Sequence, residues 1–427
     1  MNLILLISIL FSLNAFATGK APADFAFKDG QAVFVDFINV EYKIVVDFDS
    51  KASKIISIIE FRQDKVGYPI FDIRTKILSL KIDHQPSIAP EITPPGAETQ
   101  LRVVNTKIGP GLHTLEVESD IAEFKGGIDF NGKSLKFDFL LSDLSDREFF
   151  EIWGATNLEY DQYPLVFDFS ILNSPIEHRI YHNGSTLSDS NNHFRVEFPA
   201  YFNTSAPYID IAPTNAYPER SFTLRSKSGR DIPVLIYSTE EENVESLFHK
   251  AEQETIKVFH EMEANIGLWP HPQLLIQIYE GSGGMEYHGA TISGIEDLRH
   301  ELIHSYFARG VMPMDGKSSW IDEAITEWIT HEYKSLALPC SVPSVCSLKI
   351  DEYPPYIRHT ELFYPHGEAF IAYLNQKFSD KGGMLPFLSW FFMKYNFTPI
   401  TTEILKSELE LYFSTDLTHD FETYIYN

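Results

Sequence analysis

The pattern of apolar residues changes once along this chain, close to residue 231, and this change constrains the fold more than any other feature. Before it, β-branched and aromatic runs such as Val40–Phe48 and Ile55–Phe61 are separated by Gly, Pro, Asn and Asp, which is typical of antiparallel strands. After it, apolar residues recur at spacings of three and four from Val244 to Ile266, as in an amphipathic helix. We therefore expect an α+β chain with an N-terminal antiparallel β-sheet or sandwich domain (18–230) and an α/β-to-helical domain (231–427).

Local signals predict the elements of the second domain. A capping box that begins at Ser238 is expected to open the first helix, and Gly267 is expected to end it. Leu274–Tyr279 reads as a short strand, and the pattern from Ser293 onward is mostly helical.

The N-terminus resembles an export signal. Leu3–Leu13 is almost unbroken apolar sequence, followed by Ala15-Phe16-Ala17, which fits an h-region and a small-x-small cleavage site. We predict a signal peptide over residues 1–17 and, after its removal, a soluble exported protein that is secreted, periplasmic or lumenal. The alternative is a buried N-terminal strand.

The charge of the chain restricts its partners. Lys and Arg number 34 and Asp and Glu 60, so the formal net charge is −26. Such an acidic surface repels phosphate backbones and anionic lipid headgroups. We therefore expect neither a nucleic-acid partner nor a membrane partner, whereas the oligomeric state is not predicted.

Two cysteines, Cys340 and Cys346, are the only ones in the sequence. In an oxidising compartment two cysteines so close together can form a disulfide. The alternative is a pair of free structural thiols.

The segment His300–His304, with the sequence HELIH, carries the predicted chemistry. It lies in a helical pattern that Ser293 is expected to cap and Gly310 to end. Histidines four residues apart share one helix face, so their imidazoles converge at a separation that suits a single Zn²⁺. Glu301 lies about 100° around the helix, where it can accept a proton from an attacking water. The alternative is a solvated helix face with two incidental histidines.

A second predicted helix, Ser318–Trp328, supplies the third ligand. Eighteen residues separate His304 from Glu323, which allows the chain to turn and place this helix beside the first. Two histidines and one glutamate with an open fourth position form a catalytic zinc set, whereas structural sites have four protein ligands. Glu327, one turn later, is either an acceptor for a ligand histidine or an exposed carboxylate. We expect one Zn²⁺ per chain, bound by His300, His304 and Glu323.

This order of residues resembles the gluzincin metallopeptidases of the aminopeptidase N type. The resemblance implies a β-rich domain followed by a thermolysin-like catalytic domain. It also implies a short form, which we expect to lack the C-terminal helical-repeat domain of full-length relatives.

The segment 283–287, with the sequence GGMEY, is similar to the G-x-M-E-N exopeptidase motif of that family. The resemblance implies an edge strand that lines the cleft, in which Glu286 binds the free α-ammonium of the substrate. Tyr287 stands where the family has Asn. The other residues that the resemblance assigns to substrate binding are Gly283, Gly284 and Met285.

The segment Tyr364–Phe370, with the sequence YPHGEAF, is similar to the family's Y-x-K-G segment. The resemblance implies that Tyr364 donates a hydrogen bond to the oxyanion of the tetrahedral intermediate, a role that a phenolic O–H can fill. His366 stands where Lys is common.

Together these motifs predict a zinc-dependent aminopeptidase that hydrolyses peptides at free N-termini. Two alternatives stay open. One is an endopeptidase of the same zinc chemistry. The other is a catalytically lapsed peptide-binding module, which the exchanges at Tyr287 and His366 motivate.

Overall fold

The computed structural model describes residues 24–95, 100–121, 129–131, 134–138, 153–157, 161–190, 192–202, 207–240, 242–313, 317–334, 347–352 and 362–426. The predicted signal peptide and both cysteines, Cys340 and Cys346, lie outside these residues, so export and the disulfide stay predictions. Within the described ranges, none of the helices combines the length and the apolar character that crossing a bilayer requires.

In the N-terminal half, the strands that the structure describes form three β-sheets. Their orders are β15-β16-β13-β3-β4-β10-β6-β7, β1-β2-β5-β9-β8 and β11-β12-β17-β14. In chain order the strands are β1 (Phe25–Phe27), β2 (Gly30–Phe34), β3 (Asp36–Asp47), β4 (Ala52–Gln63), β5 (Tyr68–Phe71), β6 (Lys76–Ile82), β7 (Gln85–Ser87), β8 (Glu91–Ile92), β9 (Leu101–Val103), β10 (Gly111–Asp120), β11 (Asp129–Asn131), β12 (Ser134–Asp138), β13 (Leu165–Leu172), β14 (His178–His182), β15 (Ser185–Ser190), β16 (His193–Phe198) and β17 (Ile209–Pro213).

The long hairpin of β3 and β4 shows why these residues form sheets. Alternate residues of β3 point into one core, so that Val40, Tyr42 and Ile44 are buried, as the two-residue period of a strand requires. Most pairs in the large sheet are antiparallel, but β13 pairs with β3 in parallel. Apolar residues of the large sheet share their core with Ile180 and Ile211 from the sheet of β14 and β17.

Within the described residues of the second half, five strands form a mixed sheet covered by helices, and β23 and β24 pair in a separate two-stranded sheet. The order of the five-stranded sheet is β18-β19-β20-β22-β21, so β21 is an edge strand. Ile350–Glu352 and Ser379–Lys381 form 3₁₀ turns, and Glu422–Tyr426 forms a π-helical turn. The strands are β18 (Glu219–Arg225), β19 (Asp231–Tyr237), β20 (Leu274–Tyr279), β21 (Gly284–Tyr287), β22 (Ala290–Gly294), β23 (Val311–Pro313) and β24 (Thr398–Ile400), and the helices are α1 (Val244–Asn265), α2 (Leu298–Ile303), α3 (Trp320–Thr330), α4 (Phe363–Lys377), α5 (Met384–Tyr395), α6 (Thr402–Phe413) and α7 (Thr418–Phe421).

The start of α1 differs from its prediction. The helix begins at Val244, after Asn243 in a left-handed conformation, and Ser238 does not cap it. The Ser238 hydroxyl accepts the N–H of Glu240 at 3.1 Å. Ser238 directly follows β19 and is fully buried, so the end of the strand fixes its position and the helix starts only after the following turn.

The helix that carries the HELIH segment is shorter than predicted. Ser293 lies inside β22, and Asp297 precedes α2, which ends at Ile303 rather than near Gly310. Pairing of β22 with both β20 and β21 outweighs the capping preference of this serine. His304 keeps helical backbone angles, with φ −57° and ψ −21°, so the two histidines still share one face.

The α+β fold class is confirmed: a β-sheet region precedes the mixed sheet and its helices. The domain boundary predicted at residue 230 falls in the hairpin between β18 and β19, which pair with each other. That boundary stays a prediction.

Candidate active site

Arg299 fixes the short helix α2. Its guanidinium forms two hydrogen bonds to Glu261 of α1, at 2.9 and 2.8 Å, and donates to the carbonyl oxygen of Ile329 in α3 at 3.1 Å. A two-bond pair between arginine and a carboxylate defines geometry as well as charge. One side chain therefore ties α2 to both α1 and α3.

Both histidines are oriented through Nδ1. His304 Nδ1 lies 2.9 Å from the carbonyl oxygen of Phe307, and His300 Nδ1 lies 3.2 Å from Glu327 Oε1. Because each Nδ1 faces an acceptor, the neutral form of each imidazole carries its hydrogen on Nδ1 and leaves the Nε2 lone pair for a metal ion, the usual arrangement of a metal-ligating histidine. The structure thus places Glu327 as an acceptor for His300.

Three ligand atoms converge where the two imidazoles meet. The Nε2 atoms of His300 and His304 are 2.8 Å apart, and Glu323 Oε2 is 3.2 and 3.4 Å from them. Donors about 2.0–2.1 Å from a tetrahedral zinc are separated by about 3.3 Å. The three atoms are therefore spaced as ligands of one ion. One donor atom from each of these residues lies within 4.8 Å of the other two, so the group fits a zinc ion.

The charges in this cluster are strongly coupled. Burial acts to lower the pKa of His300, but hydrogen bonds to the Glu323 and Glu327 carboxylates outweigh it and raise the pKa to about 9. Burial acts on His304 in the same direction, and the Glu323 charge raises its pKa well above the usual value. Burial alone would raise the pKa of Glu323, but His304 holds it well below its usual range. Without a metal, the raised pKa values therefore favour protonation of the two imidazoles, although their Nε2 atoms face each other at 2.8 Å.

Glu301 lies beside the cluster rather than in it. Its side chain is 6% exposed, and its Oε2 has no hydrogen-bond partner among the described residues. Burial, with the Glu286 charge as a further contribution, raises the pKa of the Glu301 carboxyl to about 8. A Cβ added to Gly284 would lie 2.5 Å from this carboxyl carbon, so the glycine makes room for it.

Tyr364 reaches the same cluster from α4. Its hydroxyl donates to Glu323 Oε1 at 2.9 Å. The helices α3 and α4 approach closely at Gly367, because a Cβ there would lie 2.6 Å from the Cβ of Ala324. Burial and the nearby Glu323 charge raise the pKa of Tyr364, so the phenol stays protonated and can donate.

The edge strand β21 presents Glu286 on the face that Gly284 also occupies, next to α2. Side chains alternate along a strand, so Met285 and Tyr287 point to the other face, where they pack in a cluster with Tyr208. The exchange at Tyr287 therefore lies in the core and not on the face of Glu286. The substrate-binding roles assigned to this strand stay predictions.

Arg309 contacts Glu286, and the sequence motifs do not predict this contact. Its Nη2 is 3.1 Å from Glu286 Oε1, and the side chains of Arg309 and Glu286 are 8% and 16% exposed. Its Nε also donates to the Glu286 carbonyl oxygen at 3.2 Å. The pair is 23 residues apart in sequence, and no local pattern signals such a contact.

Solved structures show where this fold occurs, although no protein-family profile and no curated protein matches the chain in sequence. Leukotriene A4 hydrolase from Saccharomyces cerevisiae is similar with a TM-score of 0.66 at 15% identity, covering 92% of this chain and 68% of that one. Aminopeptidase A from Legionella pneumophila has a TM-score of 0.66 at 13% identity, covering 92% and 49%, so the chain spans about half its length.

A third similar structure matches along nearly its whole length. The M1 zinc metallopeptidase from Deinococcus radiodurans has a TM-score of 0.60 at 12% identity and covers 94% of this chain and 95% of that one. At these identities the likeness concerns the fold. The resemblance drawn from the motifs is thereby confirmed at the level of architecture, and the chain has the fold of the M1 zinc metallopeptidases.

Proposed function

We propose that the protein is a zinc-dependent peptidase, and that it removes residues from the free N-termini of peptides. One observation carries the first part. The Nε2 atoms of His300 and His304 face each other and the Glu323 carboxylate, while both Nδ1 atoms are held by acceptors. Such a set of lone pairs and negative charge is suited to a divalent cation.

His300, His304 and Glu323 would hold one zinc ion. When bound, zinc polarises the scissile carbonyl group and lowers the pKa of water. Glu301 accepts the proton of the attacking water on its carboxylate and then delivers it to the leaving amine. Because its Oε2 has no hydrogen-bond partner in the part of the chain that the structure describes, that oxygen is ready for this transfer. Tyr364 turns its O–H from Glu323 toward the developing oxyanion.

Glu286 is the proposed anchor for the substrate N-terminus. Arg309 engages its Oε1, which orients the carboxylate on the face that it shares with Gly284. A carboxylate at this position attracts an α-ammonium group and so favours removal of one residue at a time. A peptide substrate has been seen in a protein of this fold, since the Deinococcus radiodurans enzyme was solved with Tyr-Ser-Ala.

The same ion pair favours a second candidate, an endopeptidase. Because Arg309 neutralises much of the Glu286 charge at 3.1 Å, the attraction for a free ammonium group is weaker than that of an isolated carboxylate. Peptides with a blocked N-terminus would then be cleaved as well.

The test compares matched substrates with a free and an acetylated N-terminus, before and after removal of metal with a chelator. We expect one catalytic zinc per chain, loss of turnover on chelation, recovery with Zn²⁺, and much faster cleavage of the free substrate. Glu286→Gln should remove the difference between the two substrates. Equal rates in the unchanged protein would favour the endopeptidase, and stoichiometric zinc without hydrolysis of any peptide would favour a lapsed binding module.

We also propose that the protein is exported, with residues 1–17 removed. The apolar run Leu3–Leu13 and the following Ala15 and Ala17 support this. Sequencing the N-terminus of the protein isolated from its source tests it, because an intact Met1 would contradict cleavage.

A further inference from the structure

A second group of metal-binding side chains lies next to the first, on the other side of Glu327. His331, which directly follows the last residue of α3, has Nδ1 2.6 Å from Glu368 Oε1 of α4 and 3.5 Å from Glu327 Oε2. Its backbone N–H donates to the Glu327 carbonyl oxygen at 2.9 Å, which continues the helical hydrogen-bond pattern and keeps these two side chains, four residues apart, on one side. One donor atom from each of the three residues lies within 4.8 Å of the other two.

The chemistry of this group suits a divalent first-row metal ion. Two carboxylates and one imidazole are ligands that zinc and its neighbours accept. Both carboxylates face the His331 imidazole, so these three side chains together keep a net negative charge even when that imidazole is protonated. A divalent ion neutralises the charges of both carboxylates, whereas a single proton neutralises only one of them.

Access to the group is open on one side. The His331 side chain is 57% exposed, whereas those of Glu327 and Glu368 are 19% and 14% exposed. The two carboxylates are therefore held by the packing of α3 and α4, and the histidine is the side chain that is free to adjust. An ion can enter from solvent, take the place of the proton between His331 and Glu368, and keep water as its remaining ligands.

Glu327 connects this group to the catalytic cluster. Its Oε1 is 3.2 Å from His300 Nδ1, and its Oε2 faces His331. We propose that Glu327, His331 and Glu368 form a second divalent-cation site, coupled to the first through the Glu327 carboxylate. A cation on Oε2 draws charge away from Oε1, so it weakens the hydrogen bond that orients His300. Occupancy of the second site should therefore lower the affinity of the catalytic cluster for its ion.

The test is equilibrium dialysis of the metal-free full chain against buffered Zn²⁺, with bound zinc measured per chain. We expect two ions per chain in the unchanged protein and one in His331→Ala and in Glu368→Gln. His249→Ala is the matched control and should keep two, because His249 is also an exposed helical histidine but bonds to Gln253. Far-ultraviolet circular dichroism and thermal unfolding verify that each variant is folded.

The outcomes separate this inference from the proposed function. A single ion in the unchanged protein, lost in His304→Ala and kept in His331→Ala, overturns the second site and leaves the peptidase proposal standing. Two ions in both the unchanged protein and His331→Ala also overturn it. If the unchanged protein binds a single ion that is lost in His331→Ala and kept in His304→Ala, the result supports the second site and contradicts zinc binding by the catalytic cluster. Two ions that fall to one in His331→Ala and in Glu368→Gln support it.

Discussion

Replacing Glu301 with glutamine should make the metal-free protein more stable and the zinc protein inactive. Burial raises the pKa of the Glu301 carboxyl from 4.5 to about 8 in the folded chain. As the pH rises through this interval, the unfolded chain loses its proton while the folded chain keeps it, so folding stability falls. Above pH 8 this loss in the free energy of unfolding reaches about 5 kcal/mol, as an upper limit. Glutamine does not ionise and escapes this loss.

Urea unfolding of the chelated proteins at about pH 5 and about pH 9 measures the effect. We expect the free energy of unfolding of Glu301→Gln, relative to that of the unchanged protein, to be larger at the higher pH than at the lower pH. Glu296→Gln, at an exposed carboxylate of the same segment, should show no such increase. If the relative stability of Glu301→Gln is independent of pH, burial does not raise the pKa of Glu301 in the folded chain.

The zinc-loaded Glu301→Gln variant tests the chemical role of the same residue. Zinc content should be unchanged, because Glu301 lies outside the group of three ligands. Turnover should fall by about 10²–10⁴-fold, the usual contribution of a general base. Full activity with zinc bound would remove Glu301 from the mechanism.

Three other substitutions give distinct readouts. Tyr364→Phe should lower kcat by about 10²-fold with little change in KM, as for other oxyanion donors. A rise in KM of about the same size with kcat unchanged would instead indicate a role in substrate binding. Glu327→Gln should weaken zinc affinity by about 10–100-fold in a competition assay with a chelator, and unchanged affinity would contradict its part in orienting the ligand histidine. Asp161 is fully enclosed in the N-terminal half, where burial raises its pKa to about 8. Stability contributed by its protonated form is therefore lost as the pH rises from about 4 to 8, so Asp161→Asn should gain stability relative to the unchanged protein over that range in thermal unfolding; a constant difference would contradict this.

The parts of the site that depend on short sequence distances could be predicted. The helical period alone places His300 and His304 on one face, and this holds although α2 ends at Ile303. The eighteen residues before Glu323 permit its approach, and the structure brings its carboxylate within 3.2–3.4 Å of both imidazoles. The apolar stripe of α1 likewise predicted a helix whose buried side includes Leu247.

The contacts that hold the site in place could not be predicted. Arg299 meets Glu261 across 38 residues, and Arg309 meets Glu286 across 23. Each is one of many possible pairs in a chain rich in acidic residues, and only the packing of helices against the sheet selects it. The Phe307 carbonyl that orients a ligand histidine is a backbone group, which no residue pattern identifies.

The same limit applies to the β-sheets. Alternating apolar residues identify strands, but the parallel pairing of β13 with β3 joins segments more than a hundred residues apart. The prediction that Ser293 caps a helix was wrong because the residue lies in β22. There, pairing with neighbouring strands outweighs the local capping preference of serine. Local rules therefore give elements and periodicity, whereas the neighbours of each element depend on the whole fold.

Anomalous diffraction at the zinc edge from crystals of the zinc-loaded protein shows directly whether His300, His304 and Glu323 share one zinc ion. We expect a peak about 2.0–2.2 Å from Nε2 of His300, from Nε2 of His304 and from the Glu323 carboxylate. A zinc-loaded crystal in which no peak joins these three side chains would contradict it.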